Sequence, residues 1–365
     1  MHTPSRIAIN TRLLQQKWSG VPYYIKKLFQ AVWNIQDNVL FFQTEGEHTL
    51  GETKRIACSA HGIAGIFFDV LGVLQLIFKW KPAIFHGPSF ILPFWKPKRC
   101  KYVVTIHDLS LRTMPHLYRF TFRVLYRRLI ARSIAKADAI VVVSQHTKKD
   151  VMHYYGVDPK NIMVSYPGLN EIFLRAQVTK RLIEEPYVLS LTTHPKRKNI
   201  LSVIEALAVL KEHHIVIRYV VVGIIGKKQT EMLCAQAEKY GVRDQVTLRW
   251  YATEEELISL YRHAEVFVYP SFYEGFGFPI IEAMASKTLV ITSHTSSMQE
   301  LMQDTRFLVE PTRVEDIAAK LISTLRLPEH QKHEVIERNY QFCQQFSWAK
   351  SAQQHQELYE RLLRG

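Results

Sequence analysis

The 365-residue sequence predicts a doubly wound α/β protein, with that architecture built twice along the chain. Three observations carry this reading. Short apolar runs rich in β-branched residues recur from end to end, continuous rather than alternating, as strands covered on both faces require. Amphipathic stretches separate them, which fits right-handed βαβ crossovers in parallel sheets. The length exceeds what one ordinary core sustains and suits two domains of roughly 150 to 200 residues. A composition of 47% hydrophobic and 22% charged residues, without low-complexity tracts, describes an ordered globular chain.

In chain order the expected strands are "RIAIN", "PAIFH", "YVVTIHD", "AIVVVS" and "IMVSY", then "YVLSLT", "IRYVVVG", "QVTLRW", "EVFVYPS" and "TLVITS". Between the two sets, the turn "SYPGL" and the polar stretch 170–186 mark the linker, giving domains 1–170 and 171–345. The tail, about 346–365, reads as a helix capped by Ser347 that packs back across the first domain. The apolar segment "GIAGIFFDVLGVLQLIF", residues 62–78, falls short of the roughly 20 residues a membrane span needs. Asp69 at its middle would cost about 2.5 to 3.5 kcal/mol at a bilayer centre, so the segment reads as a buried or membrane-touching helix. The opening "MHTPSRIAINT" has no apolar run behind a basic start, and Cys58, Cys100, Cys234 and Cys343 lack metal-ligand spacing. Both features fit a cytoplasmic, reducing location.

Charge is unevenly spread. Residues 1–169 hold 23 Lys+Arg against 9 Asp+Glu, and these carry the whole net charge of +14. Much of the excess lies in "PHLYRFTFRVLYRRLIARSIAKAD", where Arg119, Arg123, Arg127, Arg128, Arg132 and Lys136 recur near every fourth residue. Like charges at that spacing repel by a few tenths of a kcal/mol per pair, which an anionic partner relieves. A solvated basic face is one reading. Docking to an anionic leaflet, or to an acceptor carrying phosphate, is the other. No stacking platform or recognition helix accompanies the charge, so no nucleic acid is expected.

Ligands of doubly wound sheets bind beyond the carboxyl ends of strands. There the sequence places "SGVPYY" with Gly20, "TIHDL" with His107, "THPKRKN" with Lys196, Arg197 and Lys198, and "VVVG" with Gly223. The stretch "SFYEGFGFPIIEAMA" follows "EVFVYP" and carries Glu274, the turn Gly275-Phe276-Gly277, and Pro279 as an expected first helical residue. Amides around 277–281 would then face an anion such as a diphosphate. Glu282 reads either as a ligand or as a first-turn partner of the helix dipole; Glu274, ahead of the helix, has only the first reading. The basic cluster is either exposed charge or a diphosphate neutraliser, and His107 either a core histidine or part of the site. There is no Asp-x-Asp pair, GxSxG elbow or P-loop, so neither a metal-held phosphate nor serine hydrolysis is signalled.

Over nearly its whole length the sequence resembles the retaining family 4 glycosyltransferases of GT-B fold, notably the bacterial mannosyltransferases of surface-polysaccharide synthesis. The resemblance rests on "INTRLLQQKWSGVPYYIKKL", "FHGPSFILP", "VVTIHDL", "SQHTKKDV", "VSYPGLNEIF", "PKRKNILSVIEAL" and, most specifically, the E-x7-E stretch "YEGFGFPIIEAMA". It implies two Rossmann-like domains facing a cleft and a nucleotide-sugar donor, with mannose from GDP-mannose foremost and UDP- or dTDP-sugars as alternatives. The implied acceptor is a lipid-linked saccharide, with retention and no metal or other cofactor, in an enzyme peripheral to the inner face of the cell membrane. The resemblance would put Glu274 at the transferred sugar, with His107 and Lys198 completing the catalytic group. Gly20, Arg197, Lys198, Gly223, Tyr251, Phe276, Gly277, Ile281 and Glu282 would hold the donor. Where the family has a glycine after the first strand of the second domain, this chain has Thr192 or Thr193, and its basic motif is one residue longer. Which of Lys196, Arg197 and Lys198 meets the diphosphate is thus left open. Rival functions are a sugar-nucleotide epimerase of the same fold and a non-catalytic basic nucleic-acid-binding protein.

Overall fold

The computed structural model describes residues 7–15, 20–33, 39–44, 50, 53–56, 62–175, 180–224 and 226–364. The chain forms two compact units, Met1–Gly168 with Phe346–Gly365, and Leu169–Gln345.

The first unit is built on a seven-stranded parallel sheet, ordered β3-β2-β1-β4-β5-β6-β7. Its strands are β1 (Ile7–Asn10), β2 (Val39–Thr44), β3 (Thr53–Ile56), β4 (Ile84–Gly87), β5 (Lys101–Ile106), β6 (Ala139–Val142) and β7 (Ile162–Val164). In β1, Ile7 is in register with Val39 on one side and Ile84 on the other. All four β1 residues are buried, as expected of a central strand covered on both faces. The final helix, Trp348–Arg364, packs against the helix Gly20–Trp33. Beneath it His86 bonds the Tyr359 hydroxyl through Nδ1 at 2.6 Å and Thr105 through Nε2 at 2.8 Å. That satisfies two buried nitrogens that would otherwise be costly.

The second unit carries a six-stranded parallel sheet, ordered β10-β9-β8-β11-β12-β13. Here β8 is Tyr187–Leu191, β9 Arg218–Val222, β10 Val246–Arg249, β11 Val266–Tyr269, β12 Val290–Ser293 and β13 Leu308–Val309. The chain winds outward in both directions from β8 and β11, which are neighbours. The strand order reverses between these two strands, and sheets of this kind bind ligands at the carboxyl ends of the strands at such a switch point.

Ten of these strands coincide with the apolar runs expected from sequence. β2, β3 and β13 are additional; β13 spans two residues. The apolar segment 62–78 is helical throughout, as expected, but with a π-helical turn (Phe68–Gly72) between its α-helical parts Gly62–Phe67 and Val73–Trp80. The π-turn buries Asp69 against Arg12, just beyond β1, with Nε–Oδ1 at 2.9 Å and NH2–Oδ2 at 2.6 Å, while Asn10 donates to Oδ1 at 2.7 Å. The aspartate that argued against a membrane span is thus half of an internal ion pair. Among the described residues no helix is long and apolar enough to cross a membrane.

Candidate functional site

The loop after β8 and the loop after β11 meet. Residues 192–199 make a tight turn in which Asn199 adopts a left-handed conformation before the helix Ile200–Glu212, its side chain donating to the Pro311 carbonyl at 2.6 Å. The turn delivers Arg197 and Lys198 inward, whereas Lys196 is exposed. From the other side, the loop after β11 is tied to this turn by Phe272 N–H, which donates to the Arg197 carbonyl at 3.0 Å, with Ser271 Oγ 3.1 Å from the same oxygen.

Glu274 occupies the junction. It is only 7% exposed, and both its carboxylate oxygens are engaged. Oε1 accepts from Lys198 Nζ at 2.5 Å and from Ser271 Oγ at 2.6 Å, and Oε2 from Arg197 NH1 at 3.3 Å. Burial by itself pushes its pKa up; the adjacent Arg197 and Lys198 outweigh that and hold the carboxyl below its ordinary range. Glu274 is therefore an ionised carboxylate in a nearly dry pocket, beside two cations. Lys198 also bonds the Tyr269 hydroxyl.

The turn that follows is clamped from β12. Ser296 Oγ accepts from the Glu274 amide at 3.0 Å, and Ser297 Oγ donates to the Glu274 and Phe276 carbonyls at 3.0 and 2.7 Å. The Phe276 carbonyl thus has an internal partner. Gly277 has φ +114°, and a Cβ there would meet Ile280 at 3.1 Å and Leu301 at 3.2 Å, so any other residue would be strained. The helix begins at Phe278, which makes Pro279 its second residue rather than its first. Glu282 consequently lies beyond the first turn, and no acidic residue occupies that turn. Its reading as a dipole partner falls away. Half-buried, Glu282 has one oxygen held by the Tyr261 hydroxyl at 3.3 Å, and burial raises its pKa to about 7. The Ile281 side chain is fully buried in the core, so this residue offers a ligand only backbone.

Gly223, just past β9, has φ +94°, and its missing Cβ would lie 2.4 Å from the Thr192 carbonyl oxygen. Thr192, after β8, is buried, its Oγ1 accepting from the His194 amide at 2.9 Å. Tyr251 and Trp250 are exposed beyond β10, and Thr253 closes a capping box with Glu256 at the start of the helix Glu254–Arg262.

Two expected site residues belong to the first unit. Gly20 begins the helix Gly20–Trp33 and is exposed, while residues 16–19 before it lie outside the described residues. His107 follows β5, packed edge-on to Tyr24 at 4.7 Å and against Phe90 at 5.3 Å. Burial lowers its pKa to about 4, so the ring is neutral at pH 7. Its Nε2 sits 2.8 Å from the Pro88 carbonyl, which can only accept; the proton is thus on Nε2, and Nδ1 is the accepting nitrogen.

The basic stretch forms the helix Phe120–Lys136. Half of its cations have internal tasks: Arg123 donates to the Pro115 carbonyl at 3.2 Å, Arg132 to Leu92 at 2.6 Å, and Lys136 to Phe94 at 2.6 Å. Arg119 and Arg128 are exposed. Beside them this unit exposes Phe67, Leu71, Phe94, Trp95, Phe120 and Leu125, with Arg132 over the Phe94 ring at 4.8 Å. Among the described residues no three His, Cys, Asp or Glu side chains group as a metal site.

Sequence reasoning found Glu274, Glu282, Arg197 and Lys198 but not Ser271, Ser297, Tyr261 or Tyr269, which hold them. Applying the strand-end rule to "TLVITS" as well would have reached Ser296 and Ser297. Tyr261 is a helix residue of an ordinary amphipathic pattern, and nothing in sequence singles it out.

Comparison with known proteins places these observations. The family profile "Glycosyl transferases group 1" matches residues 175–342, and "Glycosyltransferase Family 4" matches residues 35–171. The chain is 28% identical over 279 residues to O-antigen chain mannosyltransferase B of Escherichia coli, covering 74% of this chain and 72% of that protein. It is also 28% identical over 280 residues to the serotype-specific mannosyltransferase WbdA of Escherichia coli, of which it spans 34%. Among solved structures, the sucrose-phosphate synthase of Thermosynechococcus elongatus shares the fold at a TM-score of 0.78 with 20% identity, covering 98% of each chain. Anabaena HepE, solved with UDP-glucose, does so at 0.73 with 17% identity, covering 97% of this chain and 99% of that one.

Proposed function

Because the chain belongs to the glycosyltransferases of group 1 and family 4, we propose that it moves mannose from GDP-mannose to a lipid-linked saccharide, with retention and without a metal ion. Its GT-B fold comprises two Rossmann-like domains. The observation that carries the reading is the triad of Glu274, Lys198 and Arg197 at the switch point of the second sheet.

Breaking the bond between a sugar's anomeric carbon and its diphosphate leaves developing positive charge on the sugar and negative charge on the phosphate. A carboxylate kept ionised in a nearly dry pocket suits the first, and two adjacent cations suit the second. The Glu274 carboxylate is paired with both cations, and the trio keeps one net positive charge. Donor binding would draw Arg197 and Lys198 toward the diphosphate and leave Glu274 facing the sugar. The amides opening the helix Phe278–Ala285 add a favourable dipole end for phosphate. Arginine, lysine and helix amides together can neutralise a diphosphate, which supports a metal-free route. Glu282, with one oxygen held by Tyr261 and no hydrogen bond to the other among the described residues, suits the ribose hydroxyls. His107, neutral and accepting at Nδ1, suits a sugar hydroxyl. Retention follows if acceptor attack and phosphate departure share one face of the sugar.

The names of the E. coli relatives support mannose as the sugar and an O-antigen-type saccharide as the acceptor. A lipid-linked acceptor is met at a membrane surface, and the first unit supplies cations beside exposed aromatics for an anionic leaflet, a combination that suits the interfacial zone.

A thermal-shift series over GDP-mannose, UDP-glucose, dTDP-glucose and ADP-glucose tests the donor. A ligand that binds only the native state at about 100 times its Kd contributes roughly 2.7 kcal/mol, a rise of several degrees. The largest rise is expected with GDP-mannose. A rise confined to another nucleotide sugar would replace the donor, and none with any would overturn the reading.

A further inference from the structure

A buried tyrosine stands behind each glutamate of the pair, bonded to Glu282 directly and to Glu274 through Lys198. Tyr261, fully buried on the helix Glu254–Arg262, donates to Glu282 Oε2 at 3.3 Å. It is the hydrogen-bond partner the structure gives Glu282 among the described residues, so Oε1 is left for a ligand. Tyr269, the last residue of β11 and 1% exposed, accepts from Lys198 Nζ, the ammonium that itself donates to Glu274 Oε1. The same ammonium lies 4.6 Å from the centre of the Tyr269 ring. Between the two tyrosines stands Phe267, edge-on to Tyr261 at 5.2 Å and stacked on Tyr269 at 5.6 Å.

We propose that Tyr261 and Tyr269 are positioning residues with separate tasks, Tyr261 aiming Glu282 at the donor and Tyr269 setting Lys198 against Glu274 for the transfer step. The inference rests on the donor reading of these two glutamates. The physical reason lies in what each side chain would do alone. A half-buried carboxylate with one partner pivots about its side-chain torsions when that partner is lost; with Tyr261 in place, the pivot is fixed. A lysine has four rotatable bonds, and its ammonium is placed only by what surrounds it. Tyr269 fixes that ammonium from a rigid strand end, through both its hydroxyl and its ring. The carboxylate contact alone would not suffice, because it weakens when a diphosphate competes for the lysine.

The aromatic column makes the tyrosines good test positions, since Tyr→Phe removes one hydroxyl and keeps the packing. Hydrogen bonds to charged groups are worth about 1.5 to 3 kcal/mol, or roughly 10- to 100-fold. In the full-length protein, Tyr261→Phe is expected to raise the donor KM about tenfold with kcat within about twofold, and to move the pH midpoint of kcat/KM upward. Tyr269→Phe is expected to lower kcat about tenfold or more, with KM little changed. Independently of turnover, the donor-induced rise in melting temperature should shrink in Tyr261→Phe and persist in Tyr269→Phe. Glu274→Gln and Glu282→Gln are measured alongside. If these two keep wild-type kinetics, the donor reading itself fails. If they lose activity while both tyrosine variants match the wild type in kcat, KM and pH profile, the positioning roles are overturned and the donor reading stands. Equal losses in kcat and KM from both tyrosine variants would overturn the division of tasks.

Discussion

Lys198 Nζ lies 2.5 Å from Glu274 Oε1, and each side chain is about nine-tenths buried. An ion pair this dry cannot lose one member cheaply: the survivor is a buried charge without its partner, at a cost of roughly 3 to 5 kcal/mol. Glu274→Ala should lower stability by an amount on the order of 3 kcal/mol, reduced where Arg197 reaches solvent, whereas Glu274→Gln, which keeps the bonds from Ser271, should cost less. Denaturant melts of both variants measure the difference.

Glu282 gives the site a pH dependence of defined sign. Its pKa is raised to about 7, so the folded protein holds this proton more tightly than the unfolded chain, whose carboxyl titrates near 4.5. The group's contribution to stability is therefore fully present below about pH 4.5 and is lost as pH rises toward 7. Donor affinity should run the other way. Ribose hydroxyls are better held by the carboxylate, so the donor KM should rise, approaching tenfold per pH unit, as pH falls below about 7. Glu282→Gln should flatten both profiles, which KM and melting temperature between pH 5 and 8.5 would check.

Gly277 is the backbone hinge of the glutamate pair. With φ at +114° and Ile280 and Leu301 close to where a Cβ would sit, Gly277→Ala should destabilise by about 1 to 3 kcal/mol and weaken donor binding together. Urea midpoints and donor-induced thermal shifts are the measurements. Wild-type values for both would mean the turn tolerates a side chain.

How much of this was legible beforehand depends on how local each signal is. A run such as "EVFVYP" announces a buried strand by itself, and the strand-end rule led directly from it to Glu274. β3, "TKRI", carries two charges at the sheet edge, and β13 has two residues, so neither has an apolar run to read. The ion pair of Arg12 and Asp69 joins residues 57 apart through a π-turn that no periodicity foretells. The supports of the site are tertiary in the same way: Ser297, Tyr261 and Tyr269 act only because β12, a helix and β11 bring them to the glutamates.

The basic helix bears on the leaflet proposal. Arg123, Arg132 and Lys136 hold backbone carbonyls, which leaves Arg119, Arg127 and Arg128 to answer a membrane. At about 1 kcal/mol per cation near an anionic surface, replacing these three with Gln should weaken binding to phosphatidylserine-containing vesicles by on the order of 100-fold at low salt. Trp95 and Phe94, 63% and 55% exposed, should supply the salt-resistant remainder, so replacing both with Ser should remove binding that persists at high salt. Vesicle sedimentation of the two variants at low and high ionic strength checks this, and unchanged sedimentation of both would exclude this face.

The central claim is that Glu274, held ionised by Lys198 and Arg197, acts on the donor sugar. Its most direct test is transfer by Glu274→Gln under saturating donor and acceptor, read as release of nucleoside diphosphate, in protein shown by its melt to be folded. Loss of a preorganised charge at a reacting centre costs about 100- to 1,000-fold in kcat. A loss of that size, with donor-induced stabilisation retained, is the expected result. Turnover undiminished in the folded variant would contradict it.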